Sequence, residues 1–113
     1  MVGKFSVGLT LALACLVLAA QAWAATSRSV NLRDNFITVS SATAPHGSVT
    51  FNVANNGHER HTFNIKRVGG KVLFASNRLA PGAHISVTRT LAKGKYRLYC
   101  TIHAGMTHDF TVS

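Results

Sequence analysis

The sequence has 113 residues, with 12 Lys and Arg against 3 Asp and Glu, a formal net charge of +9, 2 Cys and 2 Met. This length predicts one domain, because two would each fall below the usual domain size. A hydrophobic content of 47% excludes an intrinsically disordered chain. Two Cys are too few for a disulfide framework or a four-thiolate zinc site.

The first 24 residues predict a secretory signal peptide. Lys4 supplies the positive start, residues 5–20 are almost entirely apolar, and Ala22 and Ala24 occupy the −3 and −1 positions of a cleavage site. The alternatives are a membrane anchor, since residues 5–25 could just span a bilayer, and a lipoprotein signal at Cys15. No basic cluster follows the apolar run, and the run continues past Cys15. Cleavage after Ala24 therefore predicts an exported domain over residues 25–113, with the periplasm as its compartment and a net charge of +8.

The remainder of the chain predicts short strands, because apolar and polar residues alternate and no stretch keeps a helical period. In chain order the candidate strands are residues 30–32, 37–39, 49–53, 61–65, 85–87, 96–100 and 110–112. Turn residues separate most of them, at 45–47, 55–57, 69–70, 81–82 and 93–94. About seven to eight short strands at this spacing predict an all-β sandwich or barrel.

The alternation also predicts where two chemically important side chains point. Residues i and i+2 of a strand share a face, so His61 points to the side of Phe63 and Ile65, which is the expected core. Cys100 follows Tyr96 and Leu98 inward in the same way. Two candidate metal ligands thus enter one end of the sandwich from two different strands.

Without the leader, Cys100 and Met106 are the only Cys and the only Met, and His103 lies midway between them. Two His and one Cys with a weak axial Met form the ligand set of blue-copper sites. Each residue alone fits a structural role in a core, but their joint occurrence with His61 favours one copper ion. His58 is the rival for the first ligand, although it lies in the turn before the strand. The other spare imidazoles, His46, His84 and His108, are expected to face solvent.

These residues carry a family resemblance. Residues 94–106, Gly-Lys-Tyr-Arg-Leu-Tyr-Cys-Thr-Ile-His-Ala-Gly-Met, resemble the C-terminal copper loop of the cupredoxins of the plastocyanin/azurin type. The short loop is most similar to that of amicyanin. Residues 55–65 resemble the family strand that carries the first His ligand, and residues 79–87 resemble the turn and strand between the two motifs. The resemblance implies a Greek-key β-sandwich, copper ligation by His61, Cys100, His103 and Met106, and one-electron transfer through His103.

The chain departs from the family pattern at two positions. Ile102 stands where many relatives have Pro, and Thr62 stands where many have an Asn that braces the copper loop. The hydroxyls of Thr62 and Thr101 are expected to brace the loop instead, a role that tunes metal sites.

The basic residues are spread along strands and turns rather than gathered in one run. Lys95 and Arg97 alternate with buried positions and are expected to face outward, while Arg89 shares the parity of Ile85 and Val87 and is expected beyond the buried part of its strand. Export argues against a nucleic-acid partner, the usual inference from a pI of 10.7. A basic field instead suits an acidic redox partner protein or an anionic membrane surface.

Three functions from different classes compete. The leading one is a monomeric one-electron carrier between redox partners, and the second is a protein that carries or sequesters copper in the export compartment. An enzyme with Cys100 as nucleophile and His61 or His103 as base is disfavoured, because only Asp34, Glu59 and Asp109 are acidic and none of them is expected to orient the base. A copper oxidase or nitrite reductase would need further copper ligands and a longer chain.

Overall fold

The computed structural model describes residues 25–113, which form two β-sheets packed face to face. The nine strands are β1 (Thr26–Arg33), β2 (Phe36–Val39), β3 (Thr43–Ala44), β4 (Gly47–Asn55), β5 (Asn64–Arg67), β6 (Val72–Ala75), β7 (His84–Leu91), β8 (Gly94–Tyr99) and β9 (Thr107–Val112). The predicted signal peptide and its cleavage site lie outside the described residues. Over residues 25–113, no helix is long and apolar enough to cross a membrane.

The sheets have strand orders β2-β1-β4-β7 and β3-β9-β8-β5-β6. Two pairings, β1 with β4 and β3 with β9, are parallel and join strands that are not consecutive, while the other pairings are antiparallel. The expected Greek-key β-sandwich is confirmed, with nine strands in place of the seven or eight predicted. The two missed strands are β3, which has only two residues, and β6, in which no residue is fully buried.

The core lies between the sheets and confirms the alternation read from the sequence. Val49, Phe51 and Val53 of β4 are buried. The ring of Phe51 packs against Phe63 at a centroid distance of 5.8 Å and against Phe110 at 5.3 Å, so these contacts join the two sheets. Burying each ring contributes about 1.5–3 kcal/mol relative to exposure. This packed interior is the rigid base on which the loops at one end are mounted.

The parity prediction for His61 and Cys100 is correct, although both residues lie just outside the strands that were predicted to contain them. His61 precedes β5 and pairs with Leu79 through an isolated bridge, with N···O distances of 3.2 and 2.8 Å. Every residue from 61 to 65 is buried, so simple alternation fails there. Cys100 directly follows β8 and is also buried. Both side chains lie inside the same end of the sandwich.

The expectation for Arg89 is wrong. Arg89 lies between the buried residues Val87 and Leu91 of β7, and is therefore within the buried part of its strand. Its guanidinium stands 4.9 Å from the centroid of the Phe74 ring and is half-buried. A long side chain can cover apolar surface while its charge reaches water, which explains how a charged residue occupies an inward position.

Candidate metal centre

Three sequence-predicted ligands meet at the end of the sandwich. The Nδ1 atoms of His61 and His103 are 3.2 Å apart, and Sγ of Cys100 lies 3.9 and 4.0 Å from them. The point equidistant from these three atoms is about 2.2 Å from each, close to the bond lengths of a first-row metal to imidazole nitrogen and thiolate sulfur. The three donor atoms therefore suit a single metal ion. Among residues 25–113 no other such group of three was found.

The loop that carries His61 is fixed by Asn55, the last residue of β4. The Nδ2 group of Asn55 donates to the carbonyls of Glu59 and Leu79, both at 2.9 Å, and its Oδ1 accepts from the N–H of Gly57 at 3.0 Å. Leu79 is also the bridge partner of His61. A buried amide thus determines the path of the loop before the imidazole enters the interior.

The sulfur of Cys100 is set up to be a thiolate. Burial opposes the charged form, but hydrogen bonds from the backbone N–H groups of Thr62 and Ile102, and then from His103, lower the pKa of the Cys100 thiol to about 6. The Thr62 N–H lies 3.3 Å from Sγ. The thiolate is the form of Cys that binds metals, so the site favours the ligating form at neutral pH.

Each imidazole has a carboxylate on its outer nitrogen. His61 Nε2 lies 3.0 Å from Asp34 Oδ1, and His103 Nε2 lies 2.8 Å from Glu59 Oε2. The pKa of His103 is raised, first by its hydrogen bond to Cys100 and then by Glu59. The expectation that no acid orients a histidine is therefore wrong. Sequence reasoning missed both contacts because Asp34 belongs to no motif, Glu59 has no assigned role in the 55–65 motif, and both acids reach the rings only through the fold.

The Cys100–Met106 loop is closed by its own backbone. The Cys100 N–H donates to the Met106 carbonyl at 3.0 Å, and the Met106 N–H donates to the His103 carbonyl at 3.3 Å. Gly105 has a φ of 80°, a left-handed conformation that glycine adopts without strain. The Met106 side chain is fully buried at the same end of the molecule. Its role as the fourth copper ligand stays a prediction.

The hydroxyls of Thr62 and Thr101, which were expected to brace the loop, contact each other, with the two Oγ1 atoms 2.9 Å apart. Oγ1 of Thr62 also accepts from the Thr101 N–H at 2.9 Å and from Asn64 Nδ2 at 2.8 Å. Asn64, which the sequence did not single out, donates in addition to the Tyr99 carbonyl at 2.9 Å. One hydroxyl thus connects the His61 segment to the first residue after Cys100. Ile102, in place of the Pro of many relatives, is exposed.

The spare imidazoles lie outside the cluster. The side chain of His58 is 96% exposed and its Nδ1 is 3.2 Å from Asp34 Oδ2, so His58 does not take the place of His61 in the triangle of donor atoms. His46 and His84 are exposed as expected. His108 differs from expectation, because it is half-buried and its Nδ1 lies 2.8 Å from the Asp109 carbonyl.

Comparison with solved structures finds the same fold in copper proteins. Reduced auracyanin from Roseiflexus castenholzii is 20% identical, with a TM-score of 0.60 over 81% of this chain and 98% of that one. A purple cupredoxin from Nitrosopumilus maritimus is 25% identical, with a TM-score of 0.57 over 78% and 99%. A copper-containing nitrite reductase from Thermus scotoductus is 21% identical, with a TM-score of 0.58 over 75% of this chain but 22% of its own. No curated protein matches the sequence.

A β-sandwich with two imidazoles and a thiol together at one end has the donor set that is typical of small copper proteins. The family model described as "Cupredoxin-like domain" matches residues 7–112, and the chain belongs to this family. The match begins inside the segment predicted as signal peptide. Cupredoxins bind one copper ion, and the donor set of His61, Cys100 and His103 suits that ion, so copper is the cofactor on which family and site agree.

Proposed function

We propose that this protein is a soluble one-electron carrier of the blue-copper type, with His61, Cys100, His103 and Met106 as its copper ligands. The observation that carries the proposal is the triangle of two Nδ1 atoms and one Sγ, whose equidistant point lies at a metal–ligand bond length from all three atoms. A bound copper ion supplies one-electron chemistry by alternating between Cu(I) and Cu(II). The mixture of soft sulfur and imidazole donors serves both oxidation states.

The protein's own part is to hold these donors still. His61 is fixed by its bridge to Leu79, and Cys100 is tied to Thr62 and to the Met106 backbone. Donors that cannot rearrange keep nearly the same geometry in both oxidation states, so little reorganisation accompanies the transfer of an electron. That property suits a carrier better than a site that must admit and transform a substrate.

Electrons would enter and leave through His103. Its side chain is 20% exposed, whereas that of His61 is fully buried. The Ile102, Ala104 and Gly105 positions on either side are exposed as well. His103 is thus the candidate ligand that comes within contact distance of a docked protein.

The surface charge supports a partner with an acidic docking surface. Residues 25–113 contain 11 Lys and Arg but only three acids. Two of these acids, Asp34 and Glu59, already contact the imidazoles of the site, and Asp109 pairs with Arg97 at 3.2 Å. The remaining field is strongly positive and steers anionic surfaces toward the protein, in the small and transient contacts of electron transfer.

We further propose that the protein acts outside the cytoplasm as a monomer and is not an enzyme. Removal of residues 1–24 would leave Cys100 as the only thiol, protected by its metal from the oxidation that bare thiols suffer in such compartments. The nitrite reductase likeness covers only a small part of that enzyme. Mass spectrometry of the protein from a periplasmic fraction tests the cleavage, since the mature chain should begin at Ala25.

The metal proposal is tested by adding Cu(II) to the purified domain and recording its visible spectrum. We expect an intense blue thiolate-to-copper charge-transfer band, lost in Cys100→Ser and retained in Asp109→Asn, which alters a carboxylate outside the cluster. A colourless protein that holds zinc instead would contradict the proposal. A blue protein that loses copper rapidly to a chelator and shows no reversible redox couple would favour copper handling over electron transfer.

A further inference from the structure

Both imidazoles of the cluster are held from outside by an acid. A carboxylate can only accept a hydrogen bond, so Asp34 at 3.0 Å and Glu59 at 2.8 Å each favour a proton on the Nε2 atom they face. In a neutral imidazole a proton on Nε2 leaves the lone pair on Nδ1, and Nδ1 is the atom that both rings turn toward Cys100. The two acids nevertheless differ in how firmly they are built into the molecule.

Asp34 is anchored by the backbone on which His61 is mounted. It lies in the two-residue turn between β1 and β2, where Asn35 takes a left-handed φ of 70°. Its carboxylate accepts hydrogen bonds from the His58 N–H at 3.0 Å and the Glu59 N–H at 3.2 Å, besides its contact with the His61 ring. These bonds, with the His58 amide first, hold the pKa of Asp34 well below its usual range. Its side chain is 28% exposed, against 58% for Glu59.

Gly57 leaves the space that this contact needs. A Cβ atom at position 57 would collide with Oδ1 of Asp34 and lie 2.9 Å from Nε2 of His61. The φ angle of Gly57 is not positive, so its backbone conformation does not require glycine. The absent side chain therefore serves the approach of the carboxylate to the imidazole rather than a turn. The hydrogen bond between Asp34 and His61, which are 27 positions apart, thus also depends on Gly57 in the loop that carries His61.

We propose that Asp34 is a positioning residue for His61: it holds the ring with Nδ1 toward the metal and, by making the imidazole a stronger donor, favours Cu(II) over Cu(I). This inference rests on the proposed copper site. Glu59 acts on His103 in the same sense but more weakly, because it is more exposed and makes no comparable bonds to backbone amides of residues 25–113. Carboxylate partners of metal-bound histidines are worth about 10–100-fold in metal affinity.

The test compares Asp34→Asn with Asp109→Asn, which makes the same change of charge at a carboxylate that contacts Arg97. Asn keeps an oxygen acceptor for the backbone amides but loses the negative charge. We expect Cu(II) affinity, measured by competition with a chelator, to fall about 10-fold or more in Asp34→Asn and to stay unchanged in Asp109→Asn. Cu(I) affinity should fall less, and each tenfold difference between the two losses raises the reduction potential by about 59 mV.

A metal-free readout separates positioning from general damage. Nitrogen NMR of the imidazoles in the copper-free protein should show the Nε2–H form of His61 in the wild type, and a mixture of protonation forms in Asp34→Asn. Gly57→Ala keeps the acid but displaces it, so it should reproduce both effects, and it carries the test if Asp34→Asn does not fold. Glu59→Gln should give a smaller change in affinity.

The outcomes are distinguishable from those of the copper proposal itself. A wild-type protein that binds no copper would refute the proposed function. The effect of Asp34 on the protonation form of His61 would then be decided by the NMR measurement alone. A wild-type protein that is blue, with Asp34→Asn and Gly57→Ala matching it in Cu(II) affinity, potential and imidazole signals, would overturn the role of Asp34 while leaving the copper site intact.

Discussion

Replacing Thr62 by Val tests how the candidate metal-binding loop, residues 100–106, is attached to the sandwich. Val has nearly the same shape as Thr but has no hydroxyl. The change removes the acceptor of the Asn64 Nδ2 and Thr101 N–H groups, and breaks the contact with the Thr101 hydroxyl. The backbone N–H of Thr62 still donates to Cys100 Sγ. The fold should therefore weaken, while the sulfur keeps this backbone donor and loses only the Thr62 hydroxyl, which lies 3.7 Å from Sγ.

The expected loss follows from where each donor lies. Asn64 is 2% exposed, so its orphaned N–H cannot be hydrated and costs about 1–3 kcal/mol. Thr101 is exposed, so water can replace part of its lost bond and the cost there is about 0.5–1.5 kcal/mol. Together the metal-free protein should lose about 2–4 kcal/mol of unfolding free energy. For a domain of this size such a loss lowers Tm by roughly 8 °C or more.

The assay is urea unfolding of the copper-free protein, and the control is Thr88→Val. Thr88 also loses a hydroxyl contact, with Oγ1 of Thr50 at 2.8 Å, but it lies on an exposed sheet face where water substitutes. Its loss should stay below about 1 kcal/mol. Equal losses in the two variants would refute the claim that the Thr62 hydroxyl is a buried junction. With copper bound, Thr62→Val should remain blue.

Four further outcomes are expected. In the copper-free protein the Cys100 thiolate, followed by ultraviolet absorbance, should titrate near pH 6 instead of 9, and His103→Ala should move the midpoint upward. Because the pKa of Cys100 is lower in the folded state, the thiolate contributes stability that is complete above pH 9 and is lost as the pH falls through 6. The pKa of His103 is raised in the folded state, so the stability that its protonated form contributes is lost as the pH rises. Urea unfolding at several pH values measures both effects. Met106→Leu should cost less than about 1.5 kcal/mol in unfolding free energy, since it conserves volume, while the loss of a sulfur donor to Cu(II) should raise the reduction potential in voltammetry. Stopped-flow electron transfer with an acidic redox protein should slow as ionic strength rises, and a rate independent of salt would contradict the docking field.

Local patterns in the sequence carry much of the fold. Alternation identified the buried faces of β4 and β8, because a strand that lies on a core must repeat every two residues. The same rule predicted that the side chains of Cys100 and His61 both point into the core. Alternation could not assign strand partners, so the parallel pairing of β1 with β4 was not foreseen. Alternation also missed β6. This strand lies at the edge of its sheet and has no fully buried residue, so its sequence need not alternate between apolar and polar residues.

The candidate ligand cluster could be proposed from the sequence because three of its members lie within seven residues and have few alternatives in the chain. The acids behind the rings were not predictable. Asp34 followed by Asn35 has the composition of an ordinary turn, and its contact with His61 exists only because the β1–β2 turn and the loop after β4 meet at one end. Arg89 was misplaced for a related reason, since cation–ring contact with Phe74 depends on the packing of two sheets.

The divided origin of the site has a consequence for protein engineering. Residues 100–106 form a closed unit that could be transplanted into another scaffold with a Cys, a His and a Met in place. Neither Asp34 nor Glu59 would travel with that cassette, because they belong to the turn after β1 and the loop after β4. A chimera built in this way would inherit the metal-binding sequence of this protein while the host determined how its histidines are polarised. To transfer the behaviour as well as the metal, the graft would need three segments: 33–36, 55–62 and 100–106.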